Sequence, residues 1–173
     1  YTQDTIDAEL KKSKEDFILH FRSAYTDDYP PAWMIAEILP LGLLCRIYTN
    51  LKDNVIKKRV AQHFGLQVPV FSSWIVILAG LRNMCCHHCR TWNRELATIT
   101  TEPRRTKYGW IDSSRTDKRR MYYRICMIRY FLYTVSPNNS FKDKLKTLLA
   151  AYPNIDTAAM GFPSDWESED IWK

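Results

Sequence analysis

One stretch of the chain decides the fold class, and it runs from Ser72 to Arg94: SSWIVILAGLRNMCCHHCRTWNR. Its early part, Trp74 to Leu78, is apolar at every position, which is typical of a fully buried helix. Ser72 or Ser73 is a suitable N-cap, so the pattern predicts a helix from Trp74 to about Leu96. Polar and ionisable side chains fill the second half of this helix, which therefore contributes to the core and also carries candidate functional groups.

The segments on both sides also have helical patterns. Residues 1–25 carry one apolar stripe, with apolar side chains three, four or seven positions apart, and this predicts one helix. Residues 33–51 are apolar around Pro40, which predicts two helices or one kinked helix. Further helices are expected from Asp53 to Phe64 with Gly65 after the end, from Asp117 to Val135, and from Ser140 to Ala151. The polar stretch 98–116 is expected to be a loop or a short hairpin.

The sequence therefore predicts an all-α fold of about six or seven helices, in a single domain of residues 1–173. A length of 173 residues fits one domain. No apolar run reaches the roughly 18 residues that a membrane span needs, and the first residues lack the pattern of a secretory signal. The five cysteines form a poor disulfide framework and indicate reduced thiols, so we expect a cytoplasmic protein that does not bind a membrane.

The net charge of +6 is concentrated in one segment of the chain. Residues 101–130 contain nine basic and three acidic side chains, with tyrosines and a tryptophan between them. This pattern fits phosphate contacts combined with base stacking, and it equally fits a solvated face beside core aromatic residues. Together with one arginine upstream, the candidate RNA-binding residues are Arg90, Arg104, Arg105, Lys107, Arg115, Lys118, Arg119 and Arg120.

The polar end of the central helix suggests chemistry on a phosphodiester. Asn83, His87 and Arg90 fall within roughly 40° of one line on an ideal helix, whereas Arg82 and His87 are about 140° apart. A histidine can accept or donate a proton near neutral pH, and an arginine can bind a phosphate. For Arg82 and His87 to act together, the helix must bend, the anion must reach across, or a second chain must contribute. A buried structural network of the same side chains is the alternative.

Other kinds of site find little support in the chain. Cys85 and Cys89 are one helical turn apart, but a structural zinc needs four converging ligands and there is no second Cys/His pair. Nucleotide-binding glycine motifs and the serine-hydrolase motif are absent from the sequence. We therefore expect no metal and no cofactor.

The segment Arg82-Asn83-Met84-Cys85-Cys86-His87 resembles the R-x4-H motif of HEPN-domain ribonucleases. The longer stretch from Leu81 to Arg94 resembles the RN-x-x-x-HH-x-R-x-WN-R stretch of Abi-like proteins, the AbiD/AbiF-type proteins of bacterial abortive infection. Shorter similarities extend along most of the chain, at Pro31-Ala32-Trp33, Phe64-Gly65-Leu66 and Gly161-Phe162-Pro163. Since members of the family are longer at the N-terminus, we expect these residues to form the C-terminal part of a longer chain.

The resemblance implies a HEPN-like helical bundle and a metal-independent endoribonuclease active in phage defence. Arg82 would bind the scissile phosphate, His87 would be the acid or base, Asn83 would position one of them, and Arg90 would be a second anion contact. Two motifs would meet across a homodimer interface and act on RNA. The alternatives are a non-catalytic RNA-binding or regulatory module of the same fold, and a structural interaction domain without nucleic acid.

Overall fold

The computed structural model describes residues 2–173, and all the regular secondary structure in this range is helical. The prediction of an all-α fold is thus confirmed, with eight α-helices where six or seven were expected. Three short 3-10 helices follow them near the C-terminus, at Ala158–Met160, Trp166–Ser168 and Asp170–Trp172. The α-helices are α1 Thr2–Lys12, α2 Asp16–Ala24, α3 Ala32–Ile38, α4 Leu41–Thr49, α5 Asn54–His63, α6 Val68–Cys86, α7 Met121–Val135 and α8 Phe141–Ala151.

The chain divides into two compact units, Tyr1–Leu51 and Lys52–Lys173. The first unit contains α1 to α4. The second contains α5 to α8 and the C-terminal 3-10 helices, and every candidate site residue lies in it. The single-domain organisation expected from the sequence stays a prediction.

The first unit contains one more helix than the apolar stripe indicated. The expected helix over residues 1–25 is interrupted after Lys12, because the Ser13 hydroxyl accepts a hydrogen bond from the Glu15 backbone N–H at 3.3 Å. Such a local side-chain bond competes with the helical hydrogen bonds. The guanidinium of Arg22 on α2 donates to the carbonyl of Leu10 near the end of α1, which also accepts from the Ser13 N–H at 3.2 Å, and this contact stabilises the break. Pro40 separates α3 from α4, as predicted.

Helix α5 has the ends that the sequence predicts. The Asp53 carboxylate accepts hydrogen bonds from the N–H groups of Val55 (2.7 Å) and Ile56 (3.1 Å). At the other end, Gly65 takes a positive φ of 67°, a conformation that glycine adopts without strain. A Cβ at this position would also lie 2.1 Å from the Cβ of Lys107, so the close approach of the two segments requires glycine.

The core of the second unit forms where α6 and α7 pack together. Trp74 on α6 is fully buried, and its ring lies 4.7 Å from that of Trp110 and 5.5 Å from that of Tyr130. Helix α6 begins at Val68, six residues earlier than expected, because proline is tolerated in the first turn, where the backbone N–H groups have no helical partner. It is also long and apolar enough to span a membrane, a test that core helices of soluble proteins pass as well, and only 33% of this apolar window is buried. The full burial expected from Trp74 to Leu78 is wrong at Val76, which is 48% exposed.

The segment between α6 and α7 has no helix or strand but is tied to the helices by hydrogen bonds. The Trp74 Nε1 donates to the carbonyl of Thr101 at 3.0 Å, and the Thr101 N–H donates to the Ser73 hydroxyl at 3.2 Å. Asp117 was expected to cap α7. In the structure its carboxylate instead accepts from the Arg119 N–H at 2.8 Å in a preceding turn, and the helix begins at Met121.

The C-terminal segment packs a carboxylate against α7. The Tyr122 hydroxyl donates to Glu169 and accepts from the Trp172 Nε1 at 3.0 Å. Glu169 is buried, and this burial raises the pKa of its carboxyl group, partly offset by the hydrogen bond from Tyr122 and the charge of Arg115. The ionised form of Glu169 is therefore disfavoured in the folded protein.

Glu169→Gln is expected to make the protein more stable than wild type at neutral pH. Because the carboxyl pKa is higher in the folded state, its stabilising contribution is fully present below the ordinary glutamate pKa of about 4.3 and is lost as pH rises through the folded value. Glutamine keeps an acceptor for Tyr122 without the charge. Urea unfolding across this pH range should show the advantage of the variant growing with pH, and a wild type that is the more stable at neutral pH would contradict this.

Candidate functional site

The candidate site lies at the C-terminal end of α6, which stops ten residues earlier than the sequence predicts. The helix was expected to reach Leu96 and ends at Cys86, with His87 as its C-cap. His88 takes a positive φ of 53°, its N–H donates to the Cys85 carbonyl at 3.1 Å, and the Cys89 N–H donates to the Met84 carbonyl at 2.9 Å. This is the Schellman pattern, with His88 in the position that glycine usually occupies. Because no glycine stands there, the sequence does not indicate that the helix ends at Cys86.

The early end of the helix corrects the predicted polar stripe. Asn83 and His87 do lie one turn apart, since the His87 N–H donates to the Asn83 carbonyl at 3.0 Å. Arg90 lies beyond the C-cap and is therefore not on the same helical line. Its side chain is exposed, within three residues of His87.

A hydrogen bond brings the Arg82 guanidinium toward the side of the helix that carries Asn83. The Arg82 Nη1 donates to the Asn83 Oδ1 at 3.0 Å. Since Asn83 and His87 are about 40° apart around the axis, this contact turns the guanidinium toward the line that holds His87. The two Cα positions remain about 140° apart around the axis, and it is the side chain of Arg82 that extends toward the line of His87.

The side chains of Arg82, Asn83 and His87 are all exposed. They therefore do not form the buried structural network that was the alternative interpretation of their spacing. An exposed turn with a guanidinium, an amide and an imidazole is accessible to an anionic ligand. It can bind a phosphate through charge-assisted hydrogen bonds and place an imidazole next to it.

The neighbouring cysteines remain free thiols. Cys85, Cys86 and Cys89 are exposed and unpaired. Within residues 2–173, no three or more His, Cys, Asp or Glu side chains come together in a way that would hold a metal ion.

Half of the basic residues proposed from the sequence to bind RNA form ion pairs within the chain. The Lys118 ammonium, which donates to Glu102, holds the pKa of that carboxyl below its usual range, and Arg115 does the same for Asp165. Such partners compensate part of the positive charge that the composition indicated. The pairs are Arg115 with Asp165, Lys118 with Glu102, Arg119 with Glu95, and Arg120 with Asp117.

The other three candidate RNA-binding residues of the segment lie at the far end of α6 from the motif. Arg104, Arg105 and Lys107 are exposed, and none is in an ion pair with a described residue. The Gln67 Nε2 donates to the Arg105 carbonyl at 3.1 Å, which places this basic group beside the start of the helix. With a rise of about 1.5 Å per residue, Gln67 and Arg82 are about 22 Å apart along the axis. The predicted cations therefore do not form one surface next to His87.

Sequence reasoning counted Arg124 only as one of the basic residues of the stretch 101–130, whereas the structure places it in the lining of a groove next to the motif. This groove has a volume of about 320 Å³ and lies between the second half of α6 and residues 94–98. Arg124 stands between Tyr123 and Ile125 in the apolar and aromatic first part of α7, and a single charge among such residues was the signal that the sequence offered.

Comparison with known proteins identifies the family. A family model described as Abi-like protein matches residues 1–93, more than half of the chain. The chain belongs to the Abi-like protein family, and this membership indicates a role in abortive infection, a form of phage defence. The match includes Arg82, Asn83, His87 and Arg90 and ends before the basic residues at 104–120. Searches of curated proteins and of solved structures returned no match.

Proposed function

We propose that the protein is a metal-independent endoribonuclease of HEPN type that acts in phage defence through Arg82 and His87. The observation that carries this proposal is the exposed last turn of α6, where Arg82 donates to Asn83 and the guanidinium is turned toward the line of His87. Family membership supports the defence role, and the chemistry of the three side chains supports RNA as the substrate.

RNA carries its own nucleophile for this reaction. The 2′-oxygen attacks the adjacent phosphorus, the P–O2′ bond forms and the P–O5′ bond breaks. One imidazole takes the proton of the 2′-hydroxyl, and a protonated imidazole donates a proton to the leaving O5′. The products are a 2′,3′-cyclic phosphate and a 5′-hydroxyl. Arg82 stabilises the charge that develops on the phosphate oxygens, and Asn83 holds the guanidinium in place.

A second copy of the chain completes the proposed site. The base at O2′ and the acid at O5′ stand on opposite sides of the phosphorus, and one imidazole does not occupy both places at once. A homodimer in which two copies present the end of α6 to each other supplies two imidazoles and two guanidiniums. Arg90, which is exposed just after the helix, is proposed as a second anion contact on a neighbouring phosphate.

The test is cleavage of total RNA by the purified full-length protein in excess EDTA. We expect fragments with 2′,3′-cyclic phosphate and 5′-hydroxyl ends, and no cleavage where a 2′-deoxynucleotide replaces the nucleotide at a mapped position. Arg82→Ala should lose this cleavage, whereas Arg59→Ala, which removes an exposed arginine of α5, should retain it. Loss of wild-type cleavage in EDTA, or equal rates for both variants, would refute the proposal.

A non-catalytic RNA-binding module is the second candidate, and a specific observation favours it. Arg104, Arg105 and Lys107 form an exposed basic group without acidic partners, and Lys107 lies 5.1 Å from the centre of the Tyr108 ring. Single-stranded RNA is bound by this combination of cations and aromatic rings. This function needs no participation of His87.

Replacing both Arg104 and Arg105 by glutamine is expected to weaken RNA binding and to reduce the slope of log affinity against log salt by roughly 1.4, about 0.7 for each lost phosphate contact. Fluorescence anisotropy with a labelled single-stranded RNA measures both quantities. The matched control is Lys142→Gln with Lys144→Gln on α8, which removes the same charge elsewhere in the second unit. Equal salt slopes for the two double variants would count against this basic group as the binding surface.

A further inference from the structure

The groove beside the candidate site has apolar walls and two arginines. Ile77, Leu81 and Met84 of α6 line one side, and Leu96 lines the other. Arg94 stands at the groove with an exposed side chain, whereas Arg124 is only 1% exposed. A volume of about 320 Å³ is in the range of pockets that bind small organic molecules.

Arg124 is a buried cation without an anionic partner. Its guanidinium donates to the Thr98 carbonyl and contacts the Met127 sulfur at 3.8 Å, and its Nε is buried with no hydrogen-bond partner. No carboxylate of residues 2–173 lies within ion-pair distance of it. The charge of Asp117 acts on Arg124 only from a longer distance, and this carboxylate pairs with Arg120 at 3.7 Å. Burial lowers the pKa of the guanidinium. An unpaired buried charge is costly, and proteins usually pair it.

The position of Arg124 on α7 adds to the positive potential. It is the fourth residue of the helix, and the first turn contains no acidic side chain and no capping side chain. The helix dipole makes this end partially positive, which disfavours a cation and favours an anion. The unpaired guanidinium of Arg124 and the dipole of α7 therefore both attract negative charge to the same place.

We propose that this groove binds a small organic anion, with its phosphate or carboxylate at Arg124 and Arg94 and its apolar or aromatic body against Ile77, Leu81 and Met84. The charge of the ligand replaces the missing partner of Arg124, and the body of the ligand covers the apolar walls. A nucleoside monophosphate and a fatty or aromatic carboxylate share this chemistry. The proposed binding is separate from RNA cleavage and does not require it.

Isothermal titration calorimetry and thermal unfolding of the full chain test the proposal with two series of probes. Adenosine 5′-monophosphate is compared with adenosine and with inorganic phosphate, and octanoate is compared with octanol. We expect one anion, the nucleotide or the carboxylate, to bind saturably with one molecule per chain and at least tenfold more tightly than its neutral counterpart. The series that binds identifies the source of the anion.

Two variants separate binding from folding. Arg124→Met removes the charge at similar volume, so it should abolish anion binding while leaving the unliganded protein at least as thermostable as wild type. Gly80→Leu is the second variant, because Gly80 lines the groove and a Cβ there meets no atom within 4 Å. Its side chain should fill the groove and block binding. Lys144→Gln on α8 is the control and should bind like wild type.

Several results would overturn the proposal. They are the absence of saturable binding by either anion, equal affinity for the anion and its neutral counterpart, and undiminished binding by Gly80→Leu. If Arg124→Met fails to fold, Gly80→Leu alone decides: loss of binding supports the groove, and retained binding excludes it.

Discussion

Replacing His87 by alanine is expected to lower the rate of RNA cleavage by about 10²–10⁴-fold, the usual contribution of a general acid or base. The side chain is exposed and forms no side-chain hydrogen bond within the described residues, so its removal breaks no packing. The helix end is held by backbone bonds of His88 and Cys89, which alanine at position 87 does not disturb. Rates with a defined RNA, measured alongside the thermal unfolding midpoint, check both expectations.

His88→Gly is the matched control for this experiment. His88 is also an exposed imidazole, in the next position, and its positive φ of 53° is a conformation that glycine adopts with less strain than histidine. The variant should cleave at nearly the wild-type rate and unfold at a higher temperature. If His88→Gly lost cleavage to the same extent as His87→Ala, the acid or base role could not be assigned to His87 alone.

Mixing the two inactive variants tests whether two copies share one site. A dimer of one Arg82→Ala chain and one His87→Ala chain keeps an intact Arg82 on one chain and an intact His87 on the other. The mixed dimer keeps one guanidinium but only one of the two imidazoles that the proposed mechanism uses, so co-refolded mixtures should regain part, and not all, of the cleavage that each variant lacks alone. Cleavage that stays at the level of the separate variants, in mixtures shown to contain the heterodimer, would count against a shared site.

Trp74→Ala is expected to reduce the free energy of unfolding by about 3–5 kcal/mol, as large aromatic truncations in cores do. Trp74 is fully buried and contacts Trp110, Tyr130 and Phe131. Its Nε1 also donates to the Thr101 carbonyl, so the variant frees the segment that joins α6 to α7. Since small domains are stable by only about 5–15 kcal/mol, this loss is a large fraction of the total stability.

Urea unfolding followed by circular dichroism measures this effect. The matched control is Trp33→Ala on α3, because Trp33 is 63% exposed. Its substitution should change stability by less than about 0.5 kcal/mol, as surface changes usually do. A loss below about 1 kcal/mol for Trp74→Ala would contradict the central place given to this residue in the core.

Several helix boundaries were predictable because the residues that set them act locally. The Asp53 carboxylate caps α5 through N–H groups two and three residues away, and Gly65 ends the helix through its own backbone conformation. Pro40 separates α3 from α4 by removing a backbone donor. Such signals need no distant partner, so the sequence contains them in full.

Other boundaries depend on contacts that no local pattern contains. Helix α6 ends at Cys86 although the residue in the left-handed position is histidine, and α1 ends early with support from an Arg22 contact twelve residues later. The ion pairs of the basic residues also depend on partners that are distant in the sequence. Arg115 meets an aspartate 50 residues away, and Lys118 meets a glutamate 16 residues before it.

The sequence alone determined the all-α class, the candidate residues Arg82, Asn83 and His87, and the resemblance to Abi-like proteins, because hydrophobic periodicity and a short motif are local properties. Only the tertiary structure decided that these side chains are exposed, that Arg104 and Arg105 lie far from them, and that Arg124 is buried without a counter-ion. Burial and charge pairing depend on segments that are distant along the chain and adjacent in space, and those distances are set by packing.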